Sequence, residues 1–119
     1  GGKIVQFNLW RPLCKVVHSS PLAFADASTI NKQDLIATDQ VFPNRIGEIY
    51  HLAYSNKQNW YWIPKMQNDE IIILKGWDSK IDENIKYTPH TSFELKNSNN
   101  SSNPRESIEA RIYAVYYLK

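Results

Sequence analysis

The residues with the most chemical potential stand late in the chain, in Arg105-Glu106-Ser107-Ile108-Glu109-Ala110-Arg111. Side chains alternate faces along a strand, so a strand over residues 106–118 puts Ser107, Glu109, Arg111, Tyr113, Val115 and Tyr117 on one side, in line with Arg105. Ile108, Ala110, Ile112, Ala114, Tyr116 and Leu118 then form an apolar packing surface on the other. The first face reads either as a solvated Glu–Arg ladder, the usual fate of charged residues, or as the wall of a partly polar cavity. His90 lies in Thr88-Pro89-His90-Thr91, where proline fixes the backbone beside the imidazole. Such a lone histidine is either structural or one ligand of a metal. His18 and His51 have weaker surroundings. No His-x-Asp, His-x-His or His-Glu-x-x-His pairing occurs, so local spacing assembles no self-contained metal site. With 4 glycines and no Gly-x-Ser-x-Gly elbow, neither a phosphate-cradling loop nor a hydrolase nucleophile is encoded. Trp60 and Trp62 share a face with Tyr61 opposite, and offer either a stacking platform or core packing. Cys14, beside Lys15 but without a partner base, reads as an inert thiol.

The elements that must position these residues are strands. A chain of 119 residues forms one domain, and 42% hydrophobic with 22% charged residues is ordinary globular usage. The 13% aromatic content favours pleated structure with a large interior. A net charge of +2 supports neither nucleic acid nor membrane as a partner. One cysteine excludes an intramolecular disulfide and suits a reducing, cytoplasmic setting; no apolar run has the length of a transmembrane segment. Residues 4–10 alternate as a strand that Pro12 ends, residues 21–27 are a short apolar stretch, and residues 31–39 read as a loop or single helical turn. Residues 47–54 and 59–63 read as two strands of a hairpin joined by Ser55-Asn56-Lys57-Gln58, and Ile71-Ile72-Ile73-Leu74 as a strand buried on both faces. Residues 97–103 form an Asn/Ser-rich loop within a flexible segment 95–104. The fold class is mostly β, with about six or seven strands and little helix. A chain that starts inside a strand also looks like a part of something longer.

Six segments in order carry a resemblance: Phe7-Asn8-Leu9-Trp10-Arg11-Pro12-Leu13, Pro21-Leu22-Ala23-Phe24-Ala25-Asp26-Ala27, Trp60-Tyr61-Trp62-Ile63-Pro64-Lys65-Met66, Lys75-Gly76-Trp77-Asp78-Ser79, Thr88-Pro89-His90-Thr91-Ser92-Phe93 and Pro104-Arg105-Glu106-Ser107-Ile108-Glu109-Ala110-Arg111. They resemble the C-terminal half of the AsaB-type hydroxylase/desaturase family, which includes the cephalosporin methoxylase component and the fungal gibberellin desaturase. The resemblance implies residues 1–119 as part of a double-stranded β-helix (jelly roll) of an Fe(II)- and 2-oxoglutarate-dependent oxygenase. Two His and one carboxylate hold iron in that family. His90 then corresponds to the distal iron ligand, Arg105 to the bidentate clamp on the far carboxylate of 2-oxoglutarate, Ser107 to its hydroxyl partner, and Arg111 to the alternative clamp. The family's His-x-Asp pair belongs upstream of Asn8-Leu9-Trp10, so two of three ligands are missing from this chain. Asp26 and Asp78 read as structural, capping loops or pairing with Arg11 or Arg45. The expectation is a fragment that binds no iron or 2-oxoglutarate alone. Within an intact enzyme, partnered by the missing N-terminal half, it would serve hydroxylation or desaturation of a small secondary-metabolite-type substrate. The other reading is a non-catalytic β-domain that binds a ligand or partner through Trp60 and Trp62. Geometry separates the two: the oxygenase reading expects His90 and Arg105 in one cavity, and the binding module expects Arg105 in solvent and exposed tryptophans.

Overall fold

Alternating β-branched and aromatic residues open the chain, and in the computed structural model they become β1 (Gly2–Pro12), the central strand of the larger sheet. The structure describes residues 2–80, 86–96 and 104–117. The remaining strands are β2 (Leu22–Ala25), β3 (Leu35–Phe42), β4 (Arg45–Leu52), β5 (Trp60–Trp62), β6 (Ile72–Asp78), β7 (His90–Ser92) and β8 (Ser107–Tyr117). Three antiparallel sheets result, ordered β6-β1-β8, β5-β2-β7 and β3-β4. Helical structure among the described residues is confined to two single 3-10 turns, Ala27–Thr29 and Lys32–Asp34. No helix among them is long and apolar enough to cross a membrane.

The mostly-β class agrees with the sequence, and four details differ. Residues 31–39 hold one 3-10 turn and then enter β3, which raises the strand count to eight among the described residues. The strands at 47–54 and 59–63 do not form a hairpin: β4 pairs with β3, and β5 pairs with β2. The Gln58 amide donates to the Ala53 carbonyl at 2.8 Å, so the Ser55–Gln58 link closes on itself and sends the chain to another sheet. Ile71 to Leu74 alternates, with Ile72 and Leu74 buried and Ile71 and Ile73 exposed, because only one face of β6 meets the core. The apolar face of β8 is bare, with Ile108, Ile112 and Tyr116 exposed. The Asn/Ser-rich stretch 97–103 and Leu118 lie outside the described residues.

The core is small. Trp10, Val17, Leu22, Met66, Ile72 and Leu74 fill one end of the space between the two three-stranded sheets, with Cys14, Phe24 and Ile63 packed at its edge. The chain exposes 8784 Å², against about 6,700 Å² for a compact monomer of this mass. Its radius of gyration is 16.3 Å where about 13.5 Å is usual for its length. Apolar side chains exposed on the outer faces and the β3–β4 arm include Val41, Ile46 and Ile73.

Both singled-out aspartates are structural. Asp26 caps the first 3-10 turn, accepting from the Ser28 backbone N–H at 2.9 Å and the Ser28 hydroxyl at 2.7 Å, which hold its carboxyl below the usual range. Asp78 pairs with neither Arg11 nor Arg45; it is buried at the end of β6 against Lys3 Nζ at 2.9 Å, because β1 brings Lys3 alongside it. Burial pushes the Asp78 carboxyl up, but the Lys80 backbone N–H, the Lys3 ammonium and the Lys75 charge together outweigh burial and set it below the usual range. A carboxylate lowered on folding contributes stability above the unfolded value, about 3.9, and loses that contribution as pH falls through its native value. Urea midpoints measured below about pH 4 should therefore fall steeply in the native sequence. Asp78→Asn should show a lower midpoint at neutral pH and a flatter acid limb, and an unchanged profile would contradict this account.

Candidate functional site

The site begins with three residues that tie the two larger sheets together. Thr88 donates its backbone N–H to the Lys75 carbonyl of β6 at 2.9 Å, and the Pro89 carbonyl accepts from the Ala25 N–H of β2 at 2.9 Å. His90 follows as the first residue of β7, opposite Phe24. Its Nδ1 lies 2.8 Å from the Thr88 carbonyl oxygen. A carbonyl can only accept, so Nδ1 carries a proton, and in the neutral imidazole Nε2 is the nitrogen that offers a lone pair. This is the arrangement by which metal-binding imidazoles are oriented.

The β1–β8 register supplies the opposite side. Asn8 lies directly across from Arg111, and Trp10 from Glu109, so the polar parity of β8 faces the same way as Gln6, Asn8 and Trp10. Asn8 is buried, and its Oδ1 accepts from Arg111 Nε at 3.3 Å. The Glu109 carboxylate sits between the two candidate groups, 3.9 Å from His90 Nε2 and 3.9 Å from Arg111 Nη2. On β6, Gly76 makes room for Gln6: a Cβ there would come within 3.2 Å of Gln6 Nε2, beside the bulge between Gln6 and Phe7.

His90 and Arg111 line one cavity of about 700 Å³, to which all three sheets contribute. Gln6, Asn8 and Trp77 form one wall, Trp60 and Thr91 another, and β4 from Glu48 to Leu52 a third. The Tyr50 ring of β4 meets Tyr87 at 5.4 Å between centroids, which fastens the β3–β4 arm beside the histidine. His51 lines the cavity too and engages Thr38 at 3.0 Å.

Arg105 is elsewhere. It precedes β8, so strand alternation does not govern it; its guanidinium lies 5.4 Å from the Trp10 ring centroid and donates to the Ser20 carbonyl. It lines a separate cavity of about 320 Å³ with Cys14 and His18. Ser107 stands opposite Pro12 at the start of β8. The structure thus joins His90 to Arg111 and leaves Arg105 and Ser107 apart from them. Trp60, Tyr61 and Trp62 are all partly exposed, so neither face of β5 is core. With Ala23, Thr91 and Phe93 they line a slot of about 260 Å³, Trp62 meeting Phe93 edge-on at 5.4 Å.

Among the described residues no group of three or more His, Cys, Asp or Glu could hold a metal ion. His90 fits one position of a metal site, and the chain's described residues do not complete it. Asn8 and the β4 wall are site residues that residue-by-residue reading passes over. Asn8 had a visible signal, a polar residue in phase with Trp10 in an apolar strand. The β4 wall had none, since it depends on the β3–β4 pairing. In the neutral protein, nitrogen-resolved NMR of the imidazoles should find His90 protonated at Nδ1. The opposite tautomer would remove Nε2 as a ligand atom.

A family profile described as YDMC, an oxidoreductase/YMDC permease-like domain, matches residues 2–115. Aspirochlorine biosynthesis protein N of Aspergillus oryzae is 32% identical over 97% of this chain and 49% of its own length. The hydroxylase/desaturase asaB of Aspergillus flavus is 34% identical over 92% of this chain and 54% of its own. The Fe(II)/2-oxoglutarate-dependent dioxygenase nvfI of Aspergillus novofumigatus is 32% identical over 88% and 38%. The solved iron and alpha-ketoglutarate-dependent endoperoxidase NvfI superposes with a TM-score of 0.86 at 29% identity, covering 97% of this chain and 43% of that one. The chain spans about half or less of the length of the relatives it matches.

Proposed function

The chain belongs to the AsaB-type hydroxylase/desaturase family and has the jelly-roll fold of its iron(II)- and 2-oxoglutarate-dependent members, and from that premise we propose that it carries one iron ligand and the co-substrate clamp of such an enzyme. The supporting observation is the cavity that His90 shares with Arg111. In this reading His90 offers Nε2 to the metal, held in its tautomer by the Thr88 carbonyl. Arg111 binds the far carboxylate of 2-oxoglutarate; Asn8 occupies Nε and leaves the two terminal nitrogens as a fork for the ligand. Arg105 and Ser107, the pair that family spacing favours, take structural roles, with Arg105 clamping Trp10 to the Ser20 turn.

Bound iron would supply oxygen activation. The chain's own residues hold and orient the co-substrate, and Trp60, Trp77 and Tyr87 give the cavity aromatic walls. A small organic substrate of secondary-metabolite type, to be hydroxylated or desaturated, enters against Ile49, Tyr50 and Leu52. The other iron ligands, a His-x-Asp pair, come from a further segment of the same domain that adds along the open edges of β8 and β7 and covers Ile108, Ile112 and Tyr116. A cytoplasmic setting suits the free Cys14 thiol. The slot at Trp60, Trp62 and Phe93 supports a second reading, a non-catalytic domain that binds an apolar ligand there.

Titration of the chain with manganese(II) under NMR separates these readings. Paramagnetic broadening should centre on the His90 ring, vanish in His90→Ala and persist in a Trp60→Ala, Trp62→Ala double variant. Affinity should be weak, since a single imidazole replaces the three-ligand set. Anaerobic iron(II) with 2-oxoglutarate should give no stoichiometric charge-transfer band on this chain. That band, or broadening centred away from His90, would overturn the proposal.

A further inference from the structure

Resting on the Arg111 clamp reading, we infer that Glu109 is an internal placeholder for the co-substrate, a carboxylate of the chain itself that a dicarboxylate must displace. Its two oxygens point to the two groups that a ligand would bridge. Oε2 is 3.9 Å from His90 Nε2, and Oε1 is 3.9 Å from Arg111 Nη2. Both separations exceed a hydrogen bond, about 2.7–3.2 Å, so the carboxylate is held by field rather than locked. The register keeps it there: Glu109 stands opposite the buried Trp10, two residues before Arg111 on the same face of β8.

A ligand that runs from a metal at His90 Nε2 to the Arg111 fork crosses the space this carboxylate fills. Two anionic groups cannot share one guanidinium whose Nε is already committed to Asn8 without mutual repulsion. In the empty site Glu109 balances the Arg111 charge; on binding it must turn aside. The Arg111 side chain is 58% exposed and that of Glu109 31%, so solvent screens the pair and leaves the displacement modest. Glu109 thereby tunes affinity and specificity: a dicarboxylate held at both ends overcomes the displacement, and a monocarboxylate with one contact gains little.

Succinate titrated into the metal-free chain at low ionic strength, followed on the Asn8 side-chain amide resonances that every variant retains, tests this apart from catalysis. Glu109→Gln should bind succinate about fivefold more tightly than the native chain, the size expected for a partly exposed ion pair. The advantage should shrink at high salt, and Arg111→Leu should abolish binding in either background. Equal or weaker binding by Glu109→Gln, with Arg111→Leu still abolishing it, overturns the placeholder and leaves the clamp intact. Binding that survives Arg111→Leu, or no binding to any variant, overturns both.

Discussion

Everything at the site depends on the antiparallel ladder that β1 makes with β6 on one side and β8 on the other. Because side chains alternate, the register Asn8 to Arg111 decides which half of β8 faces the cavity. A slip of one residue would turn Glu109 and Arg111 outward and bring Ile108, Ala110 and Ile112 in. The bulge between Gln6 and Phe7 shifts the pairing on the β6 side alone, so Trp77 comes to lie opposite Gln6 while the β8 side stays in step. One strand thus sets both the polar floor and an aromatic wall.

The second sheet contributes through three consecutive residues. Thr88 binds β6, Pro89 binds β2, and His90 starts β7, so the imidazole sits where the chain crosses from one sheet to the other. Proline fits this position because its carbonyl is needed and its missing N–H is not. The Thr88 carbonyl then orients the ring. The chemistry is distributed: an imidazole from the small sheet, a guanidinium and a carboxylate from the large one, and a covering arm from β3 and β4.

Local signals in the sequence were enough for the strands β1 and β8, the alternating polar face of β8 and the capping role of Asp26, and they singled out His90 as a candidate. Pairing was less legible. Nothing local to residues 47–63 reveals that β4 and β5 join different sheets, since the deciding contacts run to β3 and β2. The placement of Arg105 in a different cavity from His90 was hidden for a similar reason. Two-residue spacing equates Arg105 with Ser107 only if the strand includes both, and β8 starts at Ser107. Asp78 found Lys3 rather than an arginine because its partner was set by the β1–β6 register. Composition did speak to exposure: the aromatic share was high for the small core, and the unburied remainder lies on both faces of β8, along β5 and at Phe42, Tyr50 and Tyr54.

The Asn8 to Arg111 contact joins residues 103 positions apart. Such a closure comes at a large entropic cost before any contact rewards it, and sheets built on distant pairings fold slowly. Until β8 docks, the long central strand has one edge without its partner, and Arg111, the buried Asn8 amide and the Glu109 carboxylate do not exist as a unit. Local collapse around the β3–β4 hairpin can occur much earlier, because its strands are neighbours in the chain. The Arg111 end of the cavity is therefore the last part to acquire its shape, and the Arg111 environment reports whether the whole chain has finished folding.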